Sequence, residues 1–215
     1  YWVEMQNIQM KTRSFLLVAF AAPLFAQQTG SYLELSGNGQ VVFPHIAAMQ
    51  TGGTVTIEGW VRANASVDQY LCIFQRYQSS GEHKSLKVLS DGRIEAMYAW
   101  SPYGHATAAG VFAFDMQWHH VAFVRRGGAG YSIYYDGAEV LAGSTGSSVI
   151  SATPSSQVAF SPITQGMYAV DNIRVSTVAR YNASFTPQVG WSADADIFAR
   201  EAPTTARSAK LCPRA

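Results

Sequence analysis

Trp118-His119-His120-Val121-Ala122-Phe123-Val124 is followed, after Arg125-Arg126-Gly127-Gly128-Ala129-Gly130, by Tyr131-Ser132-Ile133-Tyr134-Tyr135 and then Asp136-Gly137. Both runs are rich in β-branched and aromatic residues, which suit a pleated, half-buried surface. The spacing predicts two antiparallel strands joined by a short glycine loop, with a tight turn at Asp136-Gly137 after the second. Neighbouring residues of a strand point to opposite faces, so His119 and His120 cannot both ligate one ion from one side. Packing or a hydrogen bond within the hairpin is the expected use of these imidazoles.

The same signals recur along the chain. Strands are read at Ser31–Leu35, Val41–Phe43, Thr54–Arg62, Tyr70–Gln75, Ser85–Leu89, Arg93–Ala99, Val158–Phe160 and Tyr168–Ser176, with Gly37-Asn38-Gly39, Pro44 and Asp91-Gly92 as stops or turns. In Thr54–Arg62, Val55, Ile57, Gly59 and Val61 share one face, and Thr56, Glu58 and Trp60 share the other. No long amphipathic helical run and no 20–50-residue repeat interrupts this series. The expected fold is all-β, a two-sheet antiparallel sandwich of the jelly-roll kind.

Composition agrees. The 215 residues suffice for one sizeable core, aromatics are 13% and charged residues only 13%, and the formal charge is +1. No basic face exists to neutralise a run of phosphates, so nucleic acid is excluded as a partner.

The wording of these strands resembles laminin G-like domains of the concanavalin A-like lectin/glucanase superfamily. The hairpin of the opening is similar to that family's W-H-H-V-A … l-Y-v-D-G. Leu33-Glu34-Leu35-Ser36-Gly37, Val55-Thr56-Ile57-Glu58-Gly59-Trp60-Val61 and Leu89-Ser90-Asp91-Gly92-Arg93-Ile94 look like three further family segments. Val170-Asp171-Asn172-Ile173-Arg174-Val175-Ser176 and Ala179-Arg180-Tyr181 … Phe185-Thr186-Pro187 complete the series. The resemblance covers most of residues 31–190 and implies a domain that recognises surfaces more often than it performs chemistry.

The ends read differently. Residues 1–9 look like upstream read-through before Met10. Met10-Lys11-Thr12-Arg13, the apolar Ser14 to Leu24 and a small residue at Ala26 predict a signal peptide over 10–26. Its removal takes away Lys11 and Arg13, and with Glu4 lost the exported chain is neutral. Nothing else approaches the ~18 apolar residues of a membrane span. The sandwich is expected over 27–198. Residues 199–215 lack periodicity and read as a disordered tail, or as a truncated or frameshifted end. Cys72 and Cys212 suit an oxidising compartment, and the sequence leaves their pairing open.

Several constellations bear on function. Laminarinase-type relatives carry E-x-D-x-E on one strand, because retaining hydrolysis needs two carboxylates about 5–5.5 Å apart. No such run occurs here, nor G-x-S-x-G, and Glu58 has Thr56 and Trp60 as same-face neighbours. Asp115, Asp136 and Asp171 suit turns and strand ends. An enzyme is not expected. No cofactor is indicated by the residues. The resemblance leaves calcium open, with Asp91, Asp136, Asp171 and Asn172 as oxygen donors, but no ligand set stands out and the metal is unknown. Asn64-Ala65-Ser66 and Asn182-Ala183-Ser184 match the glycosylation acceptor.

The ligand-binding candidates are Tyr98, Trp100, Tyr103 and His105. Tyr98 and Trp100 share a strand face, and Ser101-Pro102 stops the strand where Tyr103 and His105 follow at a rim. Flat amphipathic rings of this kind stack on sugars. The competing fate is the core, and Tyr98 leans that way. The expected protein is therefore secreted or extracytoplasmic, in a periplasm or at a cell surface, and non-catalytic. Its partner is a glycan or an extracellular protein, and no membrane span remains after signal cleavage. A structural adhesion module and the remnant of a glycoside hydrolase are the alternatives.

Overall fold

A computed structural model describes residues 31–43, 53–64, 70–77, 82–100, 104–144, 157–160, 167–190 and 205–213. The expectations for residues 1–26 lie outside them. Twelve strands follow in order: β1 Ser31–Phe43, β2 Thr54–Ala63, β3 Tyr70–Tyr77, β4 Glu82–Leu89, β5 Ile94–Trp100, β6 Gly104–Ala106, β7 His119–Arg126, β8 Tyr131–Tyr135, β9 Ala138–Gly143, β10 Gln157–Phe160, β11 Met167–Ser176 and β12 Thr205–Pro213. No described residue is helical, and among them no helix is long and apolar enough to cross a membrane.

Every pairing is antiparallel, in the spatial order β6-β5-β4-β3-β10-β1-β11-β2-β7-β8-β9. The path folds into two layers at β1. Residues 33–36 pair with β11, and residues 41–43 pair with β10. The Gly37-Asn38-Gly39 stretch, which reads as the end of a strand, instead lies inside one long strand where its register against β12 shifts. Leu71, Ile73, Phe74, Leu86, Val88, Ile94 and Ala96 of one layer form a single buried core with Ile57, Val61, Val121, Phe123, Ile133, Val170 and Val175 of the other.

The opening hairpin forms as its residues dictate. β7 pairs with β8 from Val121↔Tyr135 to Arg125↔Tyr131. Asp136 (φ 48) and Gly137 (φ 81) then turn the chain into β9. Two successive positive φ values match the twist of a tight hairpin, and Asp-Gly adopts them most readily.

The tail is a correction. Residues 205–213, expected as loose chain, form β12 along both halves of β1. Pairing there uses backbone groups, which need no side-chain period, so the sequence pattern does not reveal it. β9 was hidden for a similar reason, since Ala-Glu-Val-Leu-Ala-Gly has little strand preference.

Candidate functional site

Both faces of β2 are covered. Its odd residues enter the core between the layers, while Thr56, Glu58 and Trp60 face the segment 177–188, which runs across the outside of the second layer. The Thr56 hydroxyl donates to Val178 O (2.7 Å), and Trp60 Nε1 donates to Gln188 O (3.2 Å). Ala179, Tyr181 and Phe185 pack on Ala122, Val124 and Tyr134. Gly137 O accepts the Phe185 amide, and a Cβ on Gly137 would run into the Phe185 carbonyl.

Beneath this segment lies a sealed polar cluster. Glu58 is 0% exposed. Its carboxylate accepts Arg174 Nε (2.7 Å) and the Tyr181 hydroxyl (2.7 Å), lies 2.6 Å from Arg174 Nη2, and is 3.2 Å from His120 Nε2. Burial alone would raise its pKa, but His120, Arg174 and Tyr181 together hold it below the ordinary value. Burial pushes the Tyr181 hydroxyl far up, and Glu58 adds to the rise. A carboxylate so enclosed is a fastening for the 177–188 segment, out of reach of a substrate.

His119 points the other way, as strand alternation requires. Its Nδ1 is 2.8 Å from Asp136 and its Nε2 is 3.1 Å from Asp115, while the ring stacks on Tyr135. Burial disfavours the imidazolium, yet the two carboxylates outweigh it and raise the His119 pKa. Asp136 also accepts the His120 amide (2.8 Å), so one turn residue fixes both histidines.

These contacts anchor the chain from Thr107 to Trp118, which crosses the end of the sandwich. Gly110 N and Phe112 N bond to Asp91 O and Gly92 O of the β4–β5 turn, and Met116 N bonds to Ala63 O of β2. Asp115 forms a bridge with Asn64 and accepts the Gln117 amide. The result is a rim held at both layers. On it stand Met116, 38% exposed and in left-handed conformation (φ 63), and the exposed Gln117. Beside them the Arg62 guanidinium lies 4.9 Å over the Tyr32 ring and 5.1 Å over Trp118. The two rings meet edge to face at 5.5 Å. Met116 is the one large apolar side chain exposed among the described residues, and its positive φ is uncommon for a residue other than glycine.

The residues singled out from sequence fare differently. Tyr98 is only 4% exposed and sits in the core, with the Arg125 guanidinium 4.6 Å from its ring. It is therefore no part of a ligand surface. Burial between the layers won over rim exposure, since at that point β5 lies against Arg125 of β7 rather than solvent. His105 is half-buried with one ring face stacked on Tyr131 at 3.7 Å, and burial lowers its pKa. Trp100 ends β5, but its side chain lies outside the described residues, as does Tyr103. Among the described residues, no group of three His, Cys, Asp or Glu is placed to hold a metal ion. Asp91 is engaged by Arg93, and Asp136 by the histidines. The Cys72 thiol is buried, with Gln75 Oε1 and Leu86 O as acceptors within reach. The rim residues Tyr32, Arg62 and Met116 were missed, because each lies in an ordinary strand or loop and only the fold brings them to Trp118.

Two covered antiparallel layers with a rigid rim define a lectin-type sandwich domain. A family model described as the concanavalin A-like lectin/glucanases superfamily, laminin G type, matches residues 35–183, and the chain belongs to that family. No curated protein matches the sequence. Among solved structures, the chain is similar to a heptameric SAP-like pentraxin from Limulus polyphemus, at 12% identity and TM-score 0.60 over 86% of this chain and 95% of that one. It is also similar to a botulinum neurotoxin type C structure whose subject is cell entry through two ganglioside molecules (10% identity, TM-score 0.55, 68% of this chain and 39% of that one). A third is the binding domain of botulinum neurotoxin DC in complex with SialylT (14% identity, TM-score 0.54, 73% and 40%). The chain thus spans about two fifths of the length of these toxin chains. At such identities the likeness is one of fold.

Proposed function

We propose that this chain is a non-catalytic recognition domain, exported from the cytoplasm, that binds carbohydrate at the Met116–Trp118 rim. The observation that carries the reading is the rim itself. Tyr32 of β1, Arg62 of β2, and Met116 and Trp118 of a loop pinned to both layers bring apolar surface beside polar groups. Sugar recognition asks for that combination, because rings stack on aromatic faces while fixed hydrogen-bonding groups set orientation. Pre-pinning reduces the ordering cost of binding. The sealing of Glu58 and the engagement of Asp115 and Asp136 by His119 favour a binding role over hydrolysis.

A glycan array probed with the full chain tests this. Binding to a defined set of glycans, with no reducing sugar released on incubation, is the expected result. Sugar release would refute the non-catalytic part, and silence across the array would refute carbohydrate recognition. A second reading, docking of an extracellular protein strand, has the exposed β9 edge in its favour. It predicts binding to protein alone.

A further inference from the structure

His119 has a carboxylate at each ring nitrogen. Nδ1 lies 2.8 Å from Asp136 Oδ2, and Nε2 lies 3.1 Å from Asp115 Oδ1. A carboxylate only accepts hydrogen bonds, and a neutral imidazole carries a single N–H. Both contacts are therefore hydrogen bonds only while each nitrogen holds a proton. Loss of one proton turns a nitrogen lone pair toward a carboxylate oxygen, and the two repel.

The two carboxylates are held unequally. Asp136 sits in the β8–β9 turn, its other oxygen accepts the His120 amide at 2.8 Å, and its side chain is 25% exposed. Asp115 belongs to the chain that crosses the end of the sandwich, its side chain is 48% exposed, and the same oxygen accepts the Gln117 amide. The shorter and better buried Asp136 contact keeps the remaining proton, so Asp115 is the partner that lets go. The other groups against the ring do not titrate with it. Tyr135 stacks on it at 5.0 Å, and Phe112 meets it edge to face at 5.5 Å. Burial and the same two carboxylates push the Tyr135 hydroxyl far up. Glu58 and His120 lie on the opposite face of the sheet.

Met116 follows Asp115 directly. Its backbone is otherwise tied to β2 by the 3.2 Å bond from Met116 N to Ala63 O and by the bridge between Asn64 and Asp115. Gly110 and Phe112 are fastened to the β4–β5 turn at 2.8 and 2.9 Å, without His119.

We propose that His119 is a proton-operated latch on the rim: protonated, it ties Asp115 to the Asp136 turn and fixes Met116, and deprotonated, it releases the corner at Asp115 and Met116. Burial of the ring disfavours its charge, and Asp136 and Asp115 outweigh that effect. The latch is thus closed below the ordinary histidine value of about 6.5 and opens as pH rises through the higher folded value. Its effect on binding rests on the carbohydrate reading above. A released rim must be ordered again by the ligand, which weakens binding.

The test labels methionine Cα with carbon-13 in the full chain and follows the backbone order parameter of Met116 between pH 6 and pH 9. Met97 serves as the internal control. Met116 is expected at about 0.85 at pH 6 and below about 0.6 at pH 9, with Met97 unchanged. Asp115→Asn should remove the response, since an amide can accept from the imidazolium or donate to the neutral ring. His119→Gln, which has no proton to lose in this range, should also be flat. A Met116 that stays ordered at pH 9, or a response that survives in either variant, overturns the latch. If one variant fails to fold, the other decides. The glycan array is probed in parallel at both pH values. A signal about threefold or more weaker at pH 9 for the natural chain, and equal at both for Asp115→Asn, is the expected result. A Met116 response with an unchanged array signal overturns the coupling to binding. An array silent at both pH values overturns carbohydrate recognition instead, and the order parameters alone then decide the latch.

Discussion

Two side chains, Glu58 and His119, show how single residues set the behaviour of this domain. Glu58 and Arg174 are buried together under Tyr181. Removing one member of such a pair strands the other charge in a low-dielectric site, at a cost of about 3–5 kcal/mol. Glu58→Ala should lower stability by that amount in urea denaturation, and a loss below about 1 kcal/mol would contradict the sealed-cluster account. His119 gives a pH signature. Its pKa is raised by Asp136 and Asp115 against the opposing effect of burial. The folded state therefore binds the proton more tightly than the unfolded chain, whose value is about 6.5. The contribution is fully present below that pH and declines as pH rises through the raised folded value. Denaturation midpoints between pH 6 and 9 should fall with rising pH for the natural chain, and more weakly for His119→Gln. Parallel curves would show that His119 is not the group responsible.

Elements were legible to the degree that their side chains carried a period or a turn. The β7–β8 hairpin and its Asp136-Gly137 turn follow directly from alternation and from Asp-Gly chemistry. β12 has neither signal, and its order comes from backbone bonds to β1. The 177–188 segment reads as A-R-Y … F-T-P, which resembles the family without revealing what those residues touch. Its role emerges only with Gly137, whose missing Cβ leaves room for the Phe185 backbone. Gly137→Ala imposes both a positive φ on a residue that disfavours it and a collision with that segment. The backbone strain alone is of order 1–3 kcal/mol. Limited proteolysis of Gly137→Ala should nick the chain within 177–190 at protease concentrations that spare the natural protein. Equal resistance would mean that the segment is held independently of this contact.

At the scale of the whole molecule, the fold was readable and the proposed rim was not. Many short strands with turns at regular intervals specify two layers. A rim, by contrast, is assembled from β1, β2 and the chain before β7, which are 30 to 86 positions apart in sequence. Tyr98, which the sequence leans toward the core, does lie among core residues. Two methionines can report on where binding occurs. Met116 stands exposed on the rim, while Met97 lies in β5 opposite Gly104, beside the Tyr98–His105 stretch. The most direct measurement is an NMR titration of methyl-labelled methionine with a glycan the chain binds. Binding at the rim requires the Met116 methyl to shift with saturation while the Met97 methyl stays in place; a shift confined to Met97 would place the ligand elsewhere.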